Sequence, residues 1–151
     1  MSDFAIDLKK YLSLYRERSE EVCRKTVLEL GKSLVLKSPV GDPVLWKNPP
    51  PPGYVGGHFR RNWQYGTNIA PSGEISGVDP TGEATLADLA MRVSQAEPFA
   101  VHCIANNLPY GPALEFDGHS TQAPAGMVGI TAAEFEQHVA TAVDYAKRKT
   151  A

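Results

Sequence analysis

The chain has 151 residues, a formal net charge of −2 and 21% charged residues, and a domain of that length can bury about 68–70% of its unfolded surface without disulfide or metal staples. The near-neutral balance argues against a protein whose main task is gripping phosphates. No stretch approaches the roughly 18 apolar residues of a membrane helix, and Met1-Ser2-Asp3-Phe4 lacks the basic and apolar segments of a secretory signal. Cys23 and Cys103 sit among apolar neighbours and read as reduced, buried thiols in a protein assembled in the cytoplasm.

Along the chain, Phe4, Leu8, Tyr11, Tyr15, Val22, Thr26 and Leu30 recur at three- and four-residue steps, with Leu12, Cys23 and Val27 widening the stripe. This predicts a helix from Asp3, its expected N-cap, to Lys37, before Pro39 ends it. At 1.5 Å per residue it spans about 50 Å, more than the width of a small domain, so it bends or one end projects to meet something else. Ile6, Leu14 and Leu28 lie off the stripe on a charged face and offer a partner contact. Residues 39–57 form a Pro/Gly-rich loop or arm, with the run Pro49 to Pro52 favouring a stiff polyproline segment flanked by Trp46 and Tyr54. Alternation from Phe59 to Ile69 predicts a half-buried strand, with Phe59, Trp63, Tyr65 and Ile69 inward and Arg60, Asn62, Gln64 and Asn68 outward; Arg61 breaks the pattern. Glu74 to Val78 can return as a second strand, Thr85 to Gln95 reads as a helix, and Phe99 to Ala105 suits a central strand.

Tyr110 to Phe116 is expected as one helical turn and Asp117 to Gly129 as an ordered loop. Thr131 and Glu134 have capping-box spacing, and Ile130 with Phe135 that of a hydrophobic staple, at the head of a last helix buried along Phe135, Val139, Ala142, Val143 and Ala146. Lys147, Arg148 and Lys149 complement its dipole. The order of elements implies one α+β domain over 1–151: a long N-terminal helix, a mainly antiparallel β-sheet with a short inserted helix, and a C-terminal helix packed on the sheet.

None of His58, His102, His119 and His138 pairs at metal-ligand spacing, and no phosphate-cradling glycine loop occurs, so neither cofactor nor metal is expected. Glu115, Asp117 and His119, with Ser120, are the one grouping suited to hydrolysis, although no nucleophile elbow frames them. A nucleic-acid module would use Arg60, Arg61, Trp63 and Tyr65, but alternation buries the two aromatics.

Two segments point elsewhere. Ser38-Pro39-Val40-Gly41-Asp42, followed by Gly57-His58-Phe59-Arg60-Arg61-Asn62-Trp63-Gln64, resembles the Ser/Thr-Pro-Val, glycine turn, Phe/Leu-Arg and Trp signature of tailed-bacteriophage neck and tail-completion proteins. Asn106 to Phe116 is similar to that family's Asn, Tyr, Leu/Val-Glu-aromatic block, and Ser120 to Met127 to its small-residue loop before the last helix. The chain departs from the pattern by inserting Pro43 to Gly56 and by placing Asp117 before Gly118. The resemblance implies a non-enzymatic virion protein, formed as a ring, sixfold as is usual for the family, at the head–tail junction that joins the tail to the filled head. Its partners would be copies of itself, head-completion or connector proteins and tail-tube or tail-terminator proteins, with genomic DNA passing unread through the lumen and no membrane. A minor tail component elsewhere in the tail is the structural alternative. Structural or assembly roles are expected for Trp46 and Tyr54, as aromatics that the arm packs on this protein or a neighbouring subunit. The resemblance points to such roles for Phe59, Arg60, Arg61, Trp63, Tyr110, Glu115, Gln122 and Pro124, with Glu115 expected to pair with Arg60 or Arg61.

Overall fold

The computed structural model describes residues 2–151. Helix α1 runs unbroken from Asp3 to Lys37, about 50 Å. Its N-cap is Ser2, whose Oγ accepts from the Ala5 N–H at 3.4 Å; Asp3, expected to cap, is instead the first helical residue, where its charge suits the dipole. After Ser38 the chain forms the expected arm, regular only in a 3-10 turn over Pro43–Leu45 that the Asp42 side chain caps.

Phe59 to Arg61 are not strand. Gly57, at φ 107° in the left-handed region, turns the chain into the short helix α2 (His58–Arg61), and strand β1 starts at Trp63 and ends at Thr67. Alternation therefore holds only within β1, where Trp63 and Tyr65 are buried as expected. Asn62, expected outward, is fully buried: its amide nitrogen donates to the His58 and Ile75 carbonyls and its oxygen accepts from Ile75 N–H, all at 2.8–2.9 Å. Ile69, expected inward, is exposed. Residues 74–78 form no strand, because side-chain amides hold backbone groups that a ladder would have used. Asn62 takes both groups of Ile75, while Gln64 and Asn107 donate to the Gly73 carbonyl.

Helix α3 covers Glu83–Gln95. Asp79 anchors its start, accepting from the N–H groups of Gly82 and Thr85 and from the Thr85 hydroxyl at 3.1, 2.8 and 2.8 Å. Burial alone would raise the Asp79 pKa; the hydrogen bonds from Thr85, Gly82 and Thr81 outweigh it, and the pKa falls below the ordinary carboxylate value. Asp79→Asn keeps one acceptor oxygen and loses the charge. It is expected to lower stability by about 1–2 kcal/mol in urea unfolding followed by circular dichroism.

Strand β2 (His102–Asn106) pairs antiparallel with β1, Trp63 opposite Asn106 and Thr67 opposite His102. It begins later than the apolar run Phe99 to Ala105 suggested, and in a two-stranded sheet it is an edge and not a central strand. The chain turns at Glu97–Ala100, and the Asn68 side chain takes the Val101 N–H, so Phe99 and Val101 lie exposed before the strand. The short helices α4 (Gly111–Phe116) and α5 (Val128–Ala133) then lead into α6 (Phe135–Lys149).

The fold is α+β with an antiparallel pair, as expected. Its core gathers Val27, Leu34 and Val35 of α1, Phe59, Trp63, Tyr65, Leu89, Val93, Leu108, Leu114 and Met127. Gly31 lets α3 close on α1, since a Cβ there would stand 3.1 Å from Leu89 Cδ1. Helix α6 lies along α1 through Ala142 and Ala146, and Lys149–Glu21 (2.9 Å) and Lys37–Glu134 (2.6 Å) mark the two ends of the contact. Cys23 and Cys103 are free and half-buried, not buried as expected; burial raises the Cys23 pKa while Arg24 acts to lower it.

Thr131 and Glu134 do not make a capping box. The helical turn begins three residues earlier, and the two side chains cross to α1, Thr131 Oγ1 lying 2.8 Å from Ser33 Oγ and Glu134 binding Lys37. Nor does Phe135 staple, being half exposed. Among the described residues, no helix is long and apolar enough to cross a membrane.

Candidate assembly surfaces

The segments that resemble neck-protein motifs meet in space. Gly57 N–H donates to the Val40 carbonyl at 2.6 Å, so the arm leaves and re-enters the fold at adjacent points. The Gln122 side chain accepts from Val40 N–H at 2.8 Å, and Asn106 Nδ2 donates to the Phe59 carbonyl at 2.8 Å. The Phe59 ring lies edge-on to Trp63, centroids 6.0 Å apart, and 5.8 Å from Tyr110.

Within the arm, the Trp46 and Tyr54 rings pack against each other, centroids 4.6 Å apart and planes tilted by 54°. Together with the Asp117–Gln122 loop the arm walls an open groove of about 1150 Å³, whose lining includes Leu45, Trp46, Tyr54, Val55, Tyr110 and Leu114. Burial pushes the Tyr110 hydroxyl pKa up, with Tyr54 and Glu74 adding to the rise. His58, also in the lining, is held by the Gly77 carbonyl (2.7 Å) and Glu74 (2.8 Å); those bonds raise its pKa against a small opposing effect of burial.

Of the residues singled out from sequence, Trp46, Tyr54, Phe59, Tyr110 and Gln122 thus share one groove. Arg60, Pro124 and Gln122 line a second, smaller depression of about 320 Å³ beside Leu36 and Ile130. Trp63 belongs to the core, its indole N–H donating to Ser38 Oγ at 2.7 Å. Arg61 Nη1 is buried without a hydrogen-bond partner among the described residues.

The expected ion pair of Glu115 with Arg60 or Arg61 is not formed. Arg60 donates to the Pro80, Ser38 and Leu36 carbonyls, and desolvation lowers its pKa while Asp79 acts to raise it. Glu115 instead receives three consecutive N–H groups, from Met127 (2.7 Å), Val128 (2.9 Å) and Gly129 (2.9 Å), capping α5 from a distance. Open N–H groups at a helix start attract a carboxylate more strongly than a guanidinium already satisfied by carbonyls. Asp117 and His119 line the groove but Glu115 does not, so the three residues of the hydrolytic reading are not gathered at one wall. Trp63 and Tyr65 are buried, leaving no aromatic face there for a base to stack on. Among the described residues, no three His, Cys, Asp or Glu side chains group as a metal site would need.

A second surface lies at the other end of the molecule. The Arg18–Thr150 hydrogen bond (2.8 Å) and the Glu21–Lys149 pair are where α6 runs out. Before them, Phe4, Tyr11, Leu12 and Tyr15 are 76%, 63%, 60% and 64% exposed, with Leu8 and Ile6 also bare. The first half of the predicted buried stripe therefore has no cover among the described residues. Asn62 and Asp79 were not singled out from sequence; an Asn inside an alternating run and an Asp before a Gly-rich helix start were the available signals.

Comparison of the chain with models of known families, with curated proteins and with solved structures finds no match.

Proposed function

We propose that this chain is a structural subunit of a tailed-phage head–tail junction, a ring-forming neck or tail-completion protein that joins the tail to the DNA-filled head. The observation carrying this reading is the convergence of the motif segments. Val40 bonds to Gly57 and Gln122, Phe59 meets Asn106 and Tyr110, Val40, Phe59, Tyr110 and Gln122 line one groove, and Glu115 locks the loop that follows. Motif residues that serve as architecture suit a protein whose work is docking. The insertion also fits: with Val40 and Gly57 bonded, residues 43–56 form an excursion that can be added or removed without moving the strands.

On this reading identical subunits pack head to tail into a ring, connector proteins contact one face and tail-tube or terminator proteins the other, and DNA passes through. Deleting residues 43–56 should leave a folded protein, by circular dichroism, that no longer assembles. The native mass of the intact chain, alone and with purified head connectors, tests the assignment. A ring that docks on connectors supports the neck, one that binds only tail tubes supports a minor tail component, and turnover of a small molecule by a permanently monomeric chain would overturn both.

A further inference from the structure

The bare stripe and the groove lie toward opposite ends of one rod. The Phe4–Tyr15 stripe lies on the first turns of α1, while the groove opens on Pro39 to Asp42, directly after its last turn. From Tyr15 to Lys37 about 33 Å of continuous helix separates them, so the stripe cannot reach the groove of its own chain. We propose that the N-terminal turns of α1 of one copy dock, apolar stripe inward, in the Trp46–Tyr54–Tyr110 groove of the next copy, and that this is the junction between neighbouring subunits. The proposal rests on the ring reading and names the surfaces that would make it.

Size supports a second copy as the occupant. A helix about 10 Å wide and about 16 Å long, the extent of the stripe, fills roughly 1300 Å³, the scale of the groove at about 1150 Å³. The bare portions of Phe4, Leu8, Tyr11, Leu12 and Tyr15 offer roughly 500–700 Å² between them, against about 800 Å² per partner in a stable interface. Helix-in-groove docking is read by apolar anchors at i, i+4, i+7 and i+11, and this chain has Phe4, Leu8, Tyr11 and Tyr15 at those steps. The groove answers with aromatics, Trp46, Tyr54 and Tyr110, the residue types that carry binding energy at interface centres. Since stripe and groove are different surfaces at opposite ends, the contact is heterologous, the type that closes rings.

Two variants separate the halves of the junction. Tyr11→Glu with Tyr15→Glu spoils the stripe; Leu45→Glu with Val55→Glu spoils the groove, and all four residues are exposed in the monomer. In sedimentation and native mass measurements, each variant alone is expected to be monomeric, with self-association weakened at least 100-fold. Mixed one to one they should form a heterodimer and nothing larger, because one intact stripe meets one intact groove. Disulfide capture between a Tyr11→Cys chain and a Val55→Cys chain gives the same readout without the charge changes. A wild-type oligomer that survives both variants, or a mixture that neither dimerises nor cross-links, overturns this junction and leaves the ring reading standing. A wild type that stays monomeric at high concentration, alone and with purified head connectors and tail tubes, overturns the ring reading, and the junction with it.

Discussion

Trp63→Ala is expected to lower the stability of the folded chain by about 4 kcal/mol, a large share of the 5–15 kcal/mol that holds most domains together. Trp63 is 5% exposed and stands where α1, α2 and β1 meet. Removing the indole opens a cavity against Phe59, its edge-on neighbour. It also removes the donor to Ser38 Oγ, while Ser38 keeps its own bond to the Leu34 carbonyl (2.6 Å). Trp63→Phe retains most of the buried area and leaves one buried hydroxyl short of a donor, so a loss of about 1–2 kcal/mol is expected. Urea unfolding read by circular dichroism separates the two. A Trp63→Ala loss below about 2 kcal/mol would mean that the site collapses around the gap and that Trp63 does not anchor the junction of these elements.

How much of this was legible beforehand follows from the range of the interactions. The three long helices are written in local periodicity, and α1 and α3 lie within about two residues of where it puts them, whereas α6 starts at Phe135, after the separate turn of α5, rather than from a Thr131 cap. Trp63 and Tyr65 point inward as alternation requires. Periodicity reports that a stripe exists, however, and not what covers it. Phe4 to Tyr15 and Thr26 to Val35 belong to one helix, yet only the second segment meets α3 and α6. Asn62 was misplaced because Gly57 inserts a helical turn ahead of the strand, and a left-handed glycine does not reveal from sequence what it will turn the chain toward. The groove was half legible. Trp46 and Tyr54 flank the proline run and mark the arm as a packing element, whereas the Val40–Gly57 and Val40–Gln122 bonds that set the groove's walls join residues 17 and 82 positions apart.

The partner of Glu115 is the case where local reasoning chose the wrong chemistry, and it yields the second large effect. Glu115→Ala is expected to cost about 3 kcal/mol, since three charge-assisted bonds are lost and the buried Met127 N–H is left without an acceptor, while water can reach those of Val128 and Gly129. Glu115→Gln should cost about 2 kcal/mol, its amide oxygen still accepting while its NH₂ meets a donor. Gly126 shows how closely the loop is fitted, because a Cβ there would lie 2.6 Å from the Glu115 carbonyl oxygen and φ is +77°. Burial would raise the Glu115 pKa, and the bonds from Met127, Gly129 and Val128 override it, so the folded value lies below the ordinary one. A depressed folded pKa contributes stability that is fully present above the unfolded pKa, about 4.3 for Glu, and is lost as pH falls through the folded value. The stability gap between wild type and Glu115→Gln should therefore be constant from pH 7 to about pH 5 and shrink below about pH 4. Asp79 titrates with the same sign in both proteins and cancels from the difference. A gap that stays level down to pH 3 would show that the carboxylate charge contributes nothing, and that the loop before α5 is held by its packing alone.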